Sequence, residues 1–311
     1  MRLMRFTGRT RWGTASAGLL AAFLLLLGGP ASAGIADTKH NLGSGPGPAG
    51  RNQAGDTAEI CVFCHTPHGG DTAAPVPLWN KRLGVAGAPA GGGSYITYDT
   101  LQTPSLDGTV APVGSISMAC LSCHDGTQAM DNIINAPGSG GYDVNGGTNG
   151  TRGWSWSGST VDAATGKMIN AGDRISMLGT NLSNDHPIGI EYCGGGLTGT
   201  GTSVNGTCKD SDFKTPQTQL INGNQVFWVD TGGTGKQRTD LPLYVAPRNA
   251  AVANQDGSFN TVSGPLVECA SCHDPHVSEG QTGPVQGVVS GKTFLRISND
   301  NSAVCTACHN K

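Results

Sequence analysis

Residues 59–70 read EICVFCHTPHGG. Cys61 and Cys64 stand three apart, His65 follows directly, and His68 comes three later. On one helical turn, positions i, i+3 and i+4 share a face. Two thiols so placed reach one edge of a porphyrin while the histidine reaches the iron from one side. C-x-x-C-H is the signature of covalent c-type haem attachment. It recurs as CLSCH (120–124), CASCH (269–273) and CTACH (305–309). Composition alone would yield on the order of 0.01 such matches in a chain of this length. The sequence therefore predicts four covalently attached haem c groups, held by Cys61, Cys64, Cys120, Cys123, Cys269, Cys272, Cys305 and Cys308. Zinc ribbons also use C-x-x-C pairs, but they need no histidine after every second cysteine. Disulfides suit an exported chain, but they leave the histidines unexplained.

The chain holds eight histidines. Four are proximal: His65, His124, His273 and His309. His40, His68, His186 and His276 remain. Four irons with two axial positions each require eight ligands, so supply equals demand. Met118, Met130, Met168 and Met177 are the alternative ligands, as in mono-haem cytochromes.

His68 lies on roughly the same face as His65, so it cannot swing round to the far side of its own haem. It is placed to ligate a second haem beside the first. CASCHDPH repeats the device, with His276 three residues after His273. Pro67 and Pro275 end each short turn. C-x-x-C-H-x-P-H then reads as a clamp that binds one haem and ligates its neighbour, most simply the partner in the same half.

The chain repeats this plan once. TKHNL (His40), CVFCHTPH and CLSCHDG are followed by NDHPI (His186), CASCHDPH and CTACHNK. The predicted organisation is a leader (1–33), a first di-haem half (34–135), a Gly-rich insertion (136–210) and a second di-haem half (211–311). The insertion carries His186, Cys193 and Cys208. Regular structure should be sparse: short helices at the four motifs, weak strands at FWV around Trp228 and at LPLYVA, and a small hairpin layer in the insertion. Trp154 and Trp156 alternate as on a strand and are expected to cover a haem or cap a loop.

Only 37% of the chain is apolar and 13% charged, with 49 glycines. Such a chain cannot bury enough of its own surface to offset the entropy of ordering flexible backbone. A core made of something other than side chains resolves this. The expected fold has few secondary structures, coil wrapped around a haem stack. Residues 1–33 read as a signal peptide: basic residues at Arg2, Arg5, Arg9 and Arg11, an apolar run, then ASA before the cut. The remaining 278 residues carry 15 basic and 22 acidic side chains, a net charge of −7. No basic block survives, which excludes a nucleic-acid footprint, and no later stretch is apolar enough to span a membrane.

Cys193 and Cys208 fall outside the motifs. They form either a disulfide, the default in an exported chain, or a stretched attachment site with Lys209 in the place of the histidine.

TKHNL, EICVFCHTPH, PLWNK, MACLSCHDGTQAMD, NDHPIGI, ECASCHDPH and FLRISNDNSAVCTACHNK together resemble the secreted tetrahaem c-type cytochromes that polymerise into extracellular nanowire filaments on metal-reducing bacteria. The resemblance implies a coil-rich fold around a continuous stack of bis-histidine haems. It implies a head-to-tail homopolymer in which one distal histidine can be lent to the next subunit. It also implies other electron-transfer cytochromes and extracellular acceptors such as metal oxides as partners.

A haem enzyme that binds substrate at iron needs an open axial position, and the ligand count leaves none. The sequence thus points to electron transport and not to catalysis, outside the cell or at its surface. A monomeric periplasmic electron shuttle, a multihaem reductase of a small nitrogen or sulfur compound, and a haem subunit docked to a membrane complex are the rival readings. His40 is the seventh residue after the expected cut. A chain end is mobile unless tied down, so this histidine is placed to reach either its own haems or those of a neighbouring subunit.

Overall fold

Three of the four C-x-x-C-H motifs lie at the ends of short α-helices: α1 (Ser115–His124), α2 (Cys269–Cys272) and α3 (Ala303–Cys308). The first motif sits on a 3-10 turn, Cys61–Phe63. The same bond closes three of these turns. The amide of the motif histidine donates to the carbonyl of the first cysteine, His65 to Cys61 at 2.7 Å, His273 to Cys269 and His309 to Cys305 at 3.0 Å. This i+4 closure gathers both thiols and the imidazole on one face. In α1 the helix stops at Gly126, whose φ of +70° suits a residue without Cβ. A Cβ there would also lie 2.8 Å from Met177 Cγ.

The computed structural model describes residues 34–84, 89–101, 103–138, 141–147, 150–172, 176–185, 187–198, 206–222, 224–245, 252–253, 259–260, 265–276 and 294–310. The expected leader and His186 lie outside these residues. Gly34–Lys311 forms one compact unit. Among the described residues, no helix is long and apolar enough to cross a membrane.

Strands are short and antiparallel. β1 (Gln53–Ala54) pairs with β2 (Trp156–Ser157), and β3 (Ile190–Glu191) with β9 (Leu266–Val267). β4 (Gln217–Ile221), β5 (Asn224–Val229) and β6 (Leu241–Leu243) make a three-stranded sheet. The expected strands at FWV and LPLYVA fall in β5 and β6. Asn222 adopts φ +49° at the β4–β5 hairpin and is followed in sequence by Gly223, the Asn-Gly pair that suits a tight primed turn. β7 (Val252–Ala253) pairs with β8 (Phe259–Asn260). Segment 136–210 does not stand apart: β2 joins it to the first half and β3 to the second.

Among the described residues, side chains form three small apolar clusters, each touching cysteines of the C-x-x-C-H motifs. Phe63, Met130, Trp156 and Met168 pack with Cys64 and Cys123. Val113, Met118, Leu121 and Ile188 pack with Cys269. Tyr192, Phe227, Val229, Leu241 and the Cys193–Cys208 bridge pack with Cys308. Trp154 and Trp156 lie on Phe63, with ring centroids 5.7 and 5.9 Å away, so both tryptophans cover the first motif.

The PLWNK stretch ties the first motif to the segment after the second. Asn80 Nδ2 donates to Val62 O (2.6 Å) and Asn135 O (2.9 Å), and its Oδ1 accepts from Asn135 N (2.8 Å). Lys81 is fully buried, its Nζ donating to the carbonyls of Ala129, Met130 and Asn132 at 3.0–3.2 Å.

Candidate haem sites

The four thiol pairs follow one another through the fold in chain order. Burial pushes the Cys64 thiol up to about 12, and Cys123 beside it adds to the shift. Cys120 and Cys269, 149 residues apart in sequence, lie within hydrogen-bond reach of each other where α1 meets α2. Ser117 Oγ accepts the Cys269 amide at 3.0 Å and donates to buried Glu268 at the same junction. Cys272 in turn feels Cys305, and Cys308 feels Cys272. The pairs therefore run 61/64, 120/123, 269/272, 305/308. Cys61 and Cys305, at the two ends of this row, are exposed, and the other six are partly buried.

Among the described residues, two imidazole pairs stand along the row. His65 and His276 have ring centroids 6.2 Å apart with planes inclined by 22°. His40 and His124 have centroids 6.1 Å apart with planes inclined by 86°. Two imidazoles on opposite sides of one metal ion, with metal–nitrogen bonds of about 2 Å, bring their centroids roughly 6 Å apart. Each pair joins one motif histidine to one histidine outside the motif position.

The ring nitrogens are prepared for this. His65 Nδ1 donates to Pro77 O (2.9 Å) and His124 Nδ1 to Ser176 O (2.6 Å). His276 Nδ1 donates to Asp274 Oδ1 (3.2 Å). A carbonyl or carboxylate only accepts, so Nδ1 carries the proton in all three and Nε2 keeps its lone pair, the arrangement of a metal-ligating histidine. His40 Nδ1 is sealed from solvent with no hydrogen-bond partner. Its imidazole is lowered to about 4, first by burial and then by His124, and burial lowers His124 as well. Neutral imidazole is the form that ligates. The residues present thus fit bis-histidine haem: each gap has the width two iron-bound imidazoles need, and each holds the histidine of one C-x-x-C-H motif.

The structure departs from the expected pairing at His276, and it places His40 in one of the two positions open to it. His276 meets His65 in the first half and not a histidine of its own half, and α2, just before it, packs on α1 of the first half. His40 is folded onto His124 and stacks on Phe294 at 4.3 Å, so the N-terminal segment is tied into its own chain. Asn41, fully buried, helps hold it there: its Nδ2 donates to Ala36 O and Pro46 O at 2.7 and 2.8 Å. His68 and His309 are exposed. His309 packs on Phe213 at 4.5 Å, and among the described residues neither has an imidazole opposite it. Met118, Met130, Met168 and Met177 all sit in the apolar clusters.

Cys193 and Cys208 form a disulfide, with Cα atoms 4.6 Å apart. Lys209 Nζ donates to Gly195 O. Both sulfurs of the stretched alternative site are therefore already used. Among the described residues, no group of three or more His, Cys, Asp or Glu side chains gathers as a metal-ion cage. Asn80, Lys81 and Asp274 were not singled out from the sequence. The signal available was their place in PLWNK and CHDPH, polar residues embedded in motif stretches.

No protein-family model matches the chain, and no curated protein is similar to it at a significant level.

Proposed function

We propose that this chain is an exported tetrahaem c-type cytochrome that passes electrons along a row of bis-histidine haems, as a subunit of an extracellular conductive filament. The observation that carries the reading is the pair of imidazole gaps, 6.2 Å at His65/His276 and 6.1 Å at His40/His124, each beside its own thiol pair. Bound haem supplies a one-electron iron couple. The chain's own residues do the rest. The thiols fix each porphyrin edge. The Pro77, Ser176 and Asp274 oxygens set the imidazole tautomers. Two histidines in place of histidine plus methionine keep the potential low.

Exposure at both ends of the row favours the filament over the monomeric periplasmic shuttle. His68 stands by the first thiol pair, and Cys305 and His309 by the last. In a head-to-tail contact, His68 of one subunit supplies the ligand opposite His309 of the next. A heterologous contact of this kind propagates as an open helix unless it closes into a ring. Other cytochromes and extracellular metal oxides are the partners such a filament would serve.

Intact mass of the secreted protein should equal the chain from Gly34 plus four haems, with a wholly low-spin ferric spectrum. Negative-stain images should show filaments. Particles with four closed haems would establish the shuttle instead. An open haem reacting with a small nitrogen or sulfur compound would establish the reductase.

A further inference from the structure

Asp274 lies directly after the third motif, yet its hydrogen bond goes to the imidazole that faces the first. Its Oδ1 accepts the His276 backbone amide at 2.9 Å and the His276 Nδ1 proton at 3.2 Å. Its Oδ2 faces Arg296 NH1 at 3.5 Å and Arg238 Nε at 3.7 Å. These contacts fix the carboxylate in one orientation between the imidazole and two guanidinium groups. The other two resolved imidazole nitrogens, on His65 and His124, donate to neutral backbone carbonyls. Among these three, only His276 has a charged acceptor.

We infer that Asp274 is a positioning residue that makes the haem between His65 and His276 the more strongly reducing of the two resolved sites, by increasing the electron donation of His276 Nε2. A carboxylate accepting the far N–H of a ligating imidazole raises its basicity and orients the ring. A more basic ligand stabilises ferric over ferrous iron. The inference rests on the cytochrome reading. It goes beyond it by assigning an asymmetry along the row, with the residue that sets it attached in sequence to a different haem.

The test is spectroelectrochemical titration of the secreted holoprotein. Asp274→Asn should raise one of the four midpoint potentials while all four haems remain low-spin. At a fixed potential, the reduced-to-oxidised ratio of that haem should rise about tenfold, a shift of ~59 mV for one electron. His276→Met identifies the haem, since it alters the ligand on that iron alone. In the His276→Met background Asp274 faces no imidazole, so adding Asp274→Asn should move that potential no further. Equal shifts in both backgrounds, or a shift confined to the haem at Cys269 and Cys272, would show a bare charge effect and overturn the inference. Arg238 is half-exposed, and Arg238→Gln gives a second measure if Asp274→Asn fails to accumulate. It frees the carboxylate and should lower the same potential, more in wild type than in His276→Met; an equal effect overturns the inference. Failure of the wild type to carry four closed haems would instead sink the underlying reading.

Discussion

His65 and His276 face one another across 6.2 Å with planes only 22° apart, although 211 residues separate them in the chain. His40 and His124 keep the same spacing but cross at 86°. Imidazole orientation splits the ferric d orbitals, and parallel and crossed ligand pairs split them differently. Electron paramagnetic resonance of the oxidised protein should therefore show at least two low-spin classes, one rhombic and one with a single dominant large g value. His276→Ala should abolish a rhombic component and leave the large-g component. A single class of signal would contradict the pairing.

Removal of the N-terminal segment and removal of His68 should have opposite consequences. Deleting residues 34–41 takes away His40, so it should open the haem at Cys120 and Cys123 within each subunit. His68→Ala should leave both resolved pairs intact and dissolve the polymer. Light scattering and the ferric spectrum of the two variants decide the matter. Filaments that survive His68→Ala would remove this histidine from the junction.

Glu268 makes stability depend on pH in the direction opposite to most carboxylates. Burial raises it from 4.5 to about 8, while the Ser117 hydroxyl opposes the shift. Below pH 4.5 the carboxyl is protonated folded and unfolded, and nothing is lost. Between 4.5 and 8 the unfolded chain gives up its proton while the folded chain keeps it. Stability then falls with rising pH, by up to about 1.4 kcal/mol per unit, and levels off above 8. Denaturant midpoints at pH 5 and pH 8 should differ accordingly, and Glu268→Gln should flatten the profile.

Lys81, fully buried, holds the carbonyls of Ala129, Met130 and Asn132. Lys81→Met keeps the length of the side chain and removes the donor, leaving Ala129 O its bond from Asn132 N but costing roughly 1–3 kcal/mol for each other oxygen that finds no new partner. We expect a loss of about 3 kcal/mol in chemical denaturation. A midpoint unchanged from wild type would show that the carbonyls re-pair at no cost.

Replacing both Cys193 and Cys208 by serine opens a 15-residue separation closed by the bridge. In the chain-entropy model this costs about 3 kcal/mol. Haem content by mass should stay at four. Loss of one haem equivalent would revive attachment at Cys208 and Lys209.

The four C-x-x-C-H motifs, and the short turns that carry them, were legible because the pattern is local. Five consecutive residues suffice, and each occurrence folds as its own turn, closed by an amide bond such as His273 N to Cys269 O. The same locality made the sparse regular structure readable, along with β5 at FWV and the strand beneath Trp156. Which histidine opposes which was not legible. The repeat suggested pairing within each half, but opposition of imidazoles is a property of folded loops, and loops of 21 and 83 residues carry no periodicity that fixes their ends. Only the tertiary structure brings His276 to His65, seats His40 against His124, and packs Cys120 on Cys269 so that two halves share one row. Asp274 illustrates the division. Its sequence places it beside the third motif, whereas its hydrogen bond, set by where α2 packs, places it behind the ligand that faces the first.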